Sequence, residues 1–229
     1  MTDARGLFVI WREPTPDGHR HVVGRLWQSR GLYHFAYAGD LAQARARGFQ
    51  PFVELPSEST TYESAYLFPT FSQRIPVPAR PDFRRLMDRW GVEHPDDKLE
   101  VLAKSGGLQA TDRVELAPWR DPDGLLDEPM EFRVAGARHR DAAPELPVGA
   151  AVTLCLEPEN PVDPHAVRVE SADGVAAGYV PRQFAQLVSR ALLDGTPLVT
   201  TVVRTFLEPG SEHARAVVRV APLAPRPRA

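Results

Sequence analysis

Twenty-three of the 229 residues are proline, about twice the usual share of roughly 5%. Proline has no backbone N–H and its ring clashes with the preceding helical turn. It therefore ends helices and is kept out of central strand positions. Spread from Pro14 to Pro227, these residues predict many short elements and argue against a long helical bundle. The hydrophobic share of 43% and the charged share of 25% are those of an ordinary globular chain, with length for one large domain or two small ones. No run of 18 apolar residues exists to span a membrane. The start, MTDARGLFVI, is too short and too soon interrupted for a secretory signal. One cysteine, Cys155, rules out an internal disulfide framework and a Cys-rich zinc site. A cytoplasmic location is expected. The net charge of −3 and a pI of about 6.2 exclude a polycation that coats nucleic acid.

The expected fold class is mainly β with short helices (α+β). In the first half, apolar runs over 6–12, 21–27 and 32–37, separated by turn signals at Thr15–Gly18 and Ser29–Gly31, predict a three-stranded meander. Asp40 is expected to cap a short helix to Ala46. Residues 51–79 hold apolar patches without a readable period. Phe83, Leu86 and Trp90 have helical spacing, and Asp96-Asp97 opens a second helix through Lys104. A strand is expected over 111–117. The acidic, turn-rich segment 121–129 is expected to be a linker between a separate α+β domain, 1–120, and a second domain, 130–221, with a disordered tail over 222–229. In the second domain, strands are expected at 131–138, 151–157, 166–171, 175–180, 198–207 and 213–221. A helix should start at Pro181. Five or six short strands and one helix suggest a small barrel or sandwich.

Catalytic motifs are missing. Lys104-Ser105 follows alanine rather than glycine, so there is no phosphate-cradling loop of the G-x-x-x-x-G-K-[ST] kind. No G-x-S-x-G elbow or H-R-D catalytic loop is present. His19 and His21 lack the further ligands a metal requires and read as solvated hairpin histidines. Cys155, within an apolar run, reads as a small buried hydrophobe rather than a nucleophile. The chain is not expected to be an enzyme, and no cofactor or metal is expected.

One constellation carries information. Val134–Arg140 (VAGARHR) ends a strand in basic residues. Glu157–Val169 reads E-P-E-N-P-V-D-P-H-A-V-R-V, a rigid loop leading into a strand. Gly178–Arg182 reads G-Y-V-P-R, where a strand turns into a helix. In order and spacing these pieces resemble the HIRAN domain, over roughly residues 130–207. The resemblance implies an OB-like small β-barrel that captures the 3′ end of single-stranded DNA. It makes Asp163 the acceptor for the terminal 3′-hydroxyl, with Asn160 shaping or contacting the same loop. Arg138 and Arg182 become phosphate ligands, with Arg140 beside them, and Tyr179 a pocket residue and stacking platform. Two positions depart from the DNA-binding helicase members: Val162 stands for an aromatic residue and His139 for a tyrosine. Each departure removes stacking surface of about 1–3 kcal/mol. The structural alternatives are an Asx-turn for Asp163, solvated surface positions for the arginines and a core position for Tyr179.

The first half is similar in order to the small N-terminal subdomain of HipA-type toxin kinases, through Val23–Leu26, Tyr33–Tyr37 and Asp97–Gly107. The kinase core is absent, so the resemblance implies an interaction or regulatory module. Two functions follow. One is a nucleic-acid-binding module that recognises single-stranded DNA through the barrel, in keeping with a role in DNA repair. The other is a non-catalytic protein-interaction or regulatory protein acting on a kinase or nuclease partner. No membrane association is expected.

Overall fold

The computed structural model describes residues 6–15, 18–109, 112–136, 144–207 and 214–223. The chain divides into two units, Met1–Trp119 and Arg120–Ala229.

In the first unit β1 (Gly6–Arg12), β2 (Arg20–Ser29), β3 (Leu32–Tyr37), β4 (Tyr62–Ser64) and β5 (Val114–Pro118) form an antiparallel sheet of order β4-β3-β2-β1-β5. The hairpin between β2 and β3 closes through Arg30 and Gly31 at φ 52 and 78. Positive φ at both turn positions matches the right-handed twist of the flanking strands. Strand alternation sends Leu7, Val9 and Trp11 to one face, where they meet Leu26, Phe35, Tyr37, Phe71 and Leu102 in one buried cluster. The helices α1 (Leu41–Ala46), α2 (Pro69–Ser72), α3 (Phe83–Trp90) and α4 (Lys98–Ser105) complete this unit. Asp97 caps α4, accepting from the backbone N–H of Leu99 and Glu100 at 3.0 and 3.1 Å, and Gly106 ends it in the left-handed conformation. The expected cap at α1 takes another form. The Asp40 carboxylate accepts from Val22 N–H at 3.3 Å and makes no bond to its own helix.

The unreadable stretch 51–79 is organised by long-range contacts. Tyr37 hydroxyl donates to Leu55 C=O at 2.8 Å and accepts from Phe52 N–H at 2.7 Å. Buried Arg74 pairs with Asp112 and donates to the carbonyls of Thr70 and Gly107, both at 2.8 Å. His21 departs from the solvated hairpin position expected for it. It is buried, not solvated, and bonds Glu13 at 2.8 Å, because its register opposite Trp11 turns it toward the core. Glu13 is held below the ordinary carboxylate value by that bond.

The second unit has two three-stranded antiparallel sheets. One, of order β10-β11-β6, contains β6 (Met130–Arg133), β10 (Leu198–Leu207) and β11 (Ala214–Pro222). The other, β7-β8-β9, contains β7 (Thr153–Leu156), β8 (Val167–Glu170) and β9 (Ala176–Tyr179). Helix α5 (Arg182–Leu193) buries Phe184, Leu187 and Val188. Val134, Val167, Val169, Val202 and Val218 are buried in the same unit. The expected closed barrel is not present as a continuous ladder. Among the described residues the β-bridges between the two sheets are isolated ones, Ala135–Tyr179 and Ala151–Thr201. β6 to β9 are four residues each, and Pro158 and Pro181 lie just beyond β7 and β9 with no N–H to extend a ladder. At the first bridge Gly178 has φ 149, and a Cβ there would meet Ala135 O at 2.3 Å. Only glycine allows that approach.

Residues 121–129, expected as a linker, are part of this second unit. Leu126 is buried. Asp123 accepts from Gln186 and Arg190 of α5 at 3.0 and 3.2 Å. Among the described residues no helix is long and apolar enough to cross a membrane.

Candidate nucleic-acid interface

Val167 and Val169 are fully buried, so strand alternation puts Arg168 and Glu170 on the opposite face of β8. The register aligns Cys155, Arg168 and Tyr179 across β7, β8 and β9, and Glu157 extends that face just beyond β7. The Asn160–Asp163 loop joins β7 to β8 at this end. Its backbone is pinned by Glu157 N–H to Ala166 C=O at 2.9 Å, Asn160 N–H to Glu157 C=O at 3.0 Å and Ala166 N–H to Asp163 C=O at 3.0 Å.

Within the loop every polar side chain has a geometric task. Asn160 Nδ2 donates to Glu157 Oε2 at 3.0 Å. Its Oδ1 accepts from the N–H groups of Val162 and Asp163 at 3.0 and 3.3 Å. Asp163 Oδ1 accepts from His165 N–H at 2.9 Å, an Asx-turn. Asp163 is half-buried, and its second oxygen accepts no hydrogen bond from the described residues. The loop therefore holds one carboxylate oxygen in a fixed orientation while leaving the other as an acceptor.

Below the loop lies a charged chain. Arg168 pairs with Glu157 and donates from Nε to Glu170 Oε1 at 2.7 Å. Glu157 is held below the ordinary carboxylate value, chiefly by the Asn160 hydrogen bond, with the Tyr179 hydroxyl and Arg168 adding to it against partial burial. Cys155 donates its thiol to Glu170 at 3.3 Å. It is half-buried on the polar face, which corrects the expectation of a buried hydrophobe. Burial and the Glu170 carboxylate both push its pKa up, which suppresses the nucleophilic thiolate.

The structure thus gathers Asn160, Val162 and Asp163 in one loop and places Tyr179 in register with Arg168, the partner of Glu157. Val162 is 64% exposed, Tyr179 half-buried and Arg182 exposed at the first turn of α5. Arg182 makes no ion pair among the described residues. Arg138, His139 and Arg140 lie outside the described residues. Asn160 is engaged by the protein on both ends of its amide, so it shapes the loop. Sequence reasoning passed over Glu157 and Arg168 as bearers of the site. Alternation around Val167 and Val169 was the signal for Arg168, whereas Glu157 had only Asn160, three residues on, as a local signal. Among the described residues no three His, Cys, Asp or Glu side chains gather as metal ligands.

Residues 129–218 match the family model of the HIRAN domain. Two solved structures are similar. The HIRAN domain of human HLTF is 18% identical over 42% of this chain and 75% of that one, with a TM-score of 0.35. A protein from Lactobacillus plantarum is 24% identical over 40% of this chain and 96% of that one, with a TM-score of 0.32. No curated protein matches. None of these findings supports the likeness of the first half to HipA-type kinases.

Proposed function

We propose that the HIRAN segment binds single-stranded DNA at its 3′ end and that the chain acts as a binding module without catalysis, in a reducing compartment such as the cytoplasm. The observation that carries this reading is Asp163, with one carboxylate oxygen fixed by His165 N–H and the other open to a hydroxyl donor. A 3′-hydroxyl satisfies that acceptor, and a 3′-phosphate meets charge repulsion instead. Tyr179 offers a ring beside the loop for a terminal base. Arg182, at the start of α5, offers its guanidinium and nearby backbone N–H groups to a phosphate.

Fluorescence anisotropy with 5′-labelled oligonucleotides ending in a 3′-hydroxyl or a 3′-phosphate tests this. The expected outcome is tighter binding of the hydroxyl end, reduced about tenfold or more in Asp163→Ala through loss of a charge-assisted hydrogen bond. Equal binding of both ends would sink the end-capture reading. The second reading, a protein-interaction module, is favoured by large apolar side chains exposed on the first unit, Val53 at 97% and Tyr66 at 80%. It gains ground if neither oligonucleotide binds and the first unit retains a protein partner that Val53→Ser with Tyr66→Ser releases.

A further inference from the structure

We propose that Glu157 is the positioning residue of this site, the group that holds the Asn160–Asp163 loop in the shape that orients Asp163. The inference rests on the reading of that loop as the seat of a DNA terminus. The carboxylate is the point where two elements converge, Asn160 from the loop and Arg168 from β8, with Tyr179 of β9 beside Arg168 in the strand register and its hydroxyl helping to hold the Glu157 pKa down. Backbone bonds alone close the loop but leave the Asn160 side chain unfixed. Once Nδ2 is drawn to Glu157, the opposite end of the amide, Oδ1, is committed to Val162 and Asp163 N–H. Those two bonds set the backbone from which the Asp163 side chain projects. The order of the loop is therefore transmitted from one charge that never needs to touch DNA.

The same geometry gives Glu157 a second task. It pairs with Arg168, and Glu170 takes the guanidinium from the other side. Arg168 is thereby neutralised on the face that bears the loop. A Glu157→Gln variant keeps the side-chain volume but weakens the hold on Asn160 and leaves Arg168 with one carboxylate in place of two. Its charge is then more available to any phosphate. The signature is a split: preference for the correct end falls while attachment to phosphate does not weaken. General loss of structure lowers both.

The experiment uses the full chain, with Glu157→Gln and Tyr179→Phe, the second removing only one hydroxyl. Amide hydrogen exchange at Val162 and Asp163 is read beside anisotropy with 3′-hydroxyl and 3′-phosphate strands. The expected result for Glu157→Gln is about tenfold faster exchange at both amides and about a tenfold smaller preference for the hydroxyl end. Affinity for the 3′-phosphate strand should be undiminished. Tyr179→Phe should move exchange in the same direction by less. Unchanged exchange in Glu157→Gln overturns the proposal whatever DNA does. Faster exchange with an intact hydroxyl preference overturns it too. If the wild-type chain binds neither strand, the end-capture reading fails and the site role assigned to Glu157 falls with it; faster exchange then identifies only a structural latch.

Discussion

At the scale of single residues, the second unit depends on side chains that were small or charged for geometric reasons. Gly178 is the sharpest case, since a Cβ there would lie 2.3 Å from Ala135 O at a φ of 149. Gly178→Ala should destabilise the unit by about 1–3 kcal/mol from backbone strain alone, measured as a lower urea midpoint. Glu157 gives a pH dependence with a definite sign. Its pKa is depressed in the folded chain, first by Asn160 and then by Tyr179 and Arg168. Its stabilising contribution is complete above the unfolded carboxylate pKa and is lost as pH falls through the lower folded value. Acid unfolding of the wild-type chain should therefore show a loss below pH 4.5 that Glu157→Gln lacks. The loop residues Asn160 and Asp163 were legible in the sequence because Asx-turns and prolines act within a few residues. Glu157 was legible only as a neighbour of Asn160, since its other partner, Arg168 on β8, comes near only when β7 and β8 pair.

At the scale of elements, the strands and helices of the first unit were readable where alternation and caps operate locally, as in β1 to β3 and α4. The segment after α1 was not, because its anchor is a distant hydroxyl. Tyr37 lies in β3 and serves both Phe52 N–H and Leu55 C=O. Burial pushes its pKa up to about 12. Tyr37→Phe keeps the ring but orphans both backbone groups, so a cost of about 1–3 kcal/mol is expected. Thermal unfolding monitored by tryptophan fluorescence checks it, and an unchanged midpoint would mean that water replaces the hydroxyl. The same dependence on pairing explains His21. Its place opposite Trp11 follows from a register shift between Val9 and Ile10 in β1, and a bulge of this kind leaves no mark in the apolar pattern.

At the scale of the whole molecule, charge balance limits how the proposed DNA end would be held. Residues 130–229 contain 11 arginines against 11 aspartates and glutamates, so attraction to a polyanion is confined to a local patch. With about two phosphates contacted, the slope of log affinity against log salt for a single strand should be near −1.4. A slope several times steeper would mean phosphate binding over a broad surface in place of recognition of an end.

The sequence alone determined the short-element β character, the turn and cap positions and the order of motifs that carries the HIRAN resemblance, because each of these is set by neighbours along the chain. Only tertiary structure decided three things. The second unit is built of two sheets joined at isolated bridges in place of a continuous barrel, residues 121–129 belong to that unit through Asp123 and Leu126, and the Glu157 carboxylate takes both Asn160 and Arg168. All three depend on which strand lies beside which, and such pairings bring together residues whose chemistry is silent until they meet.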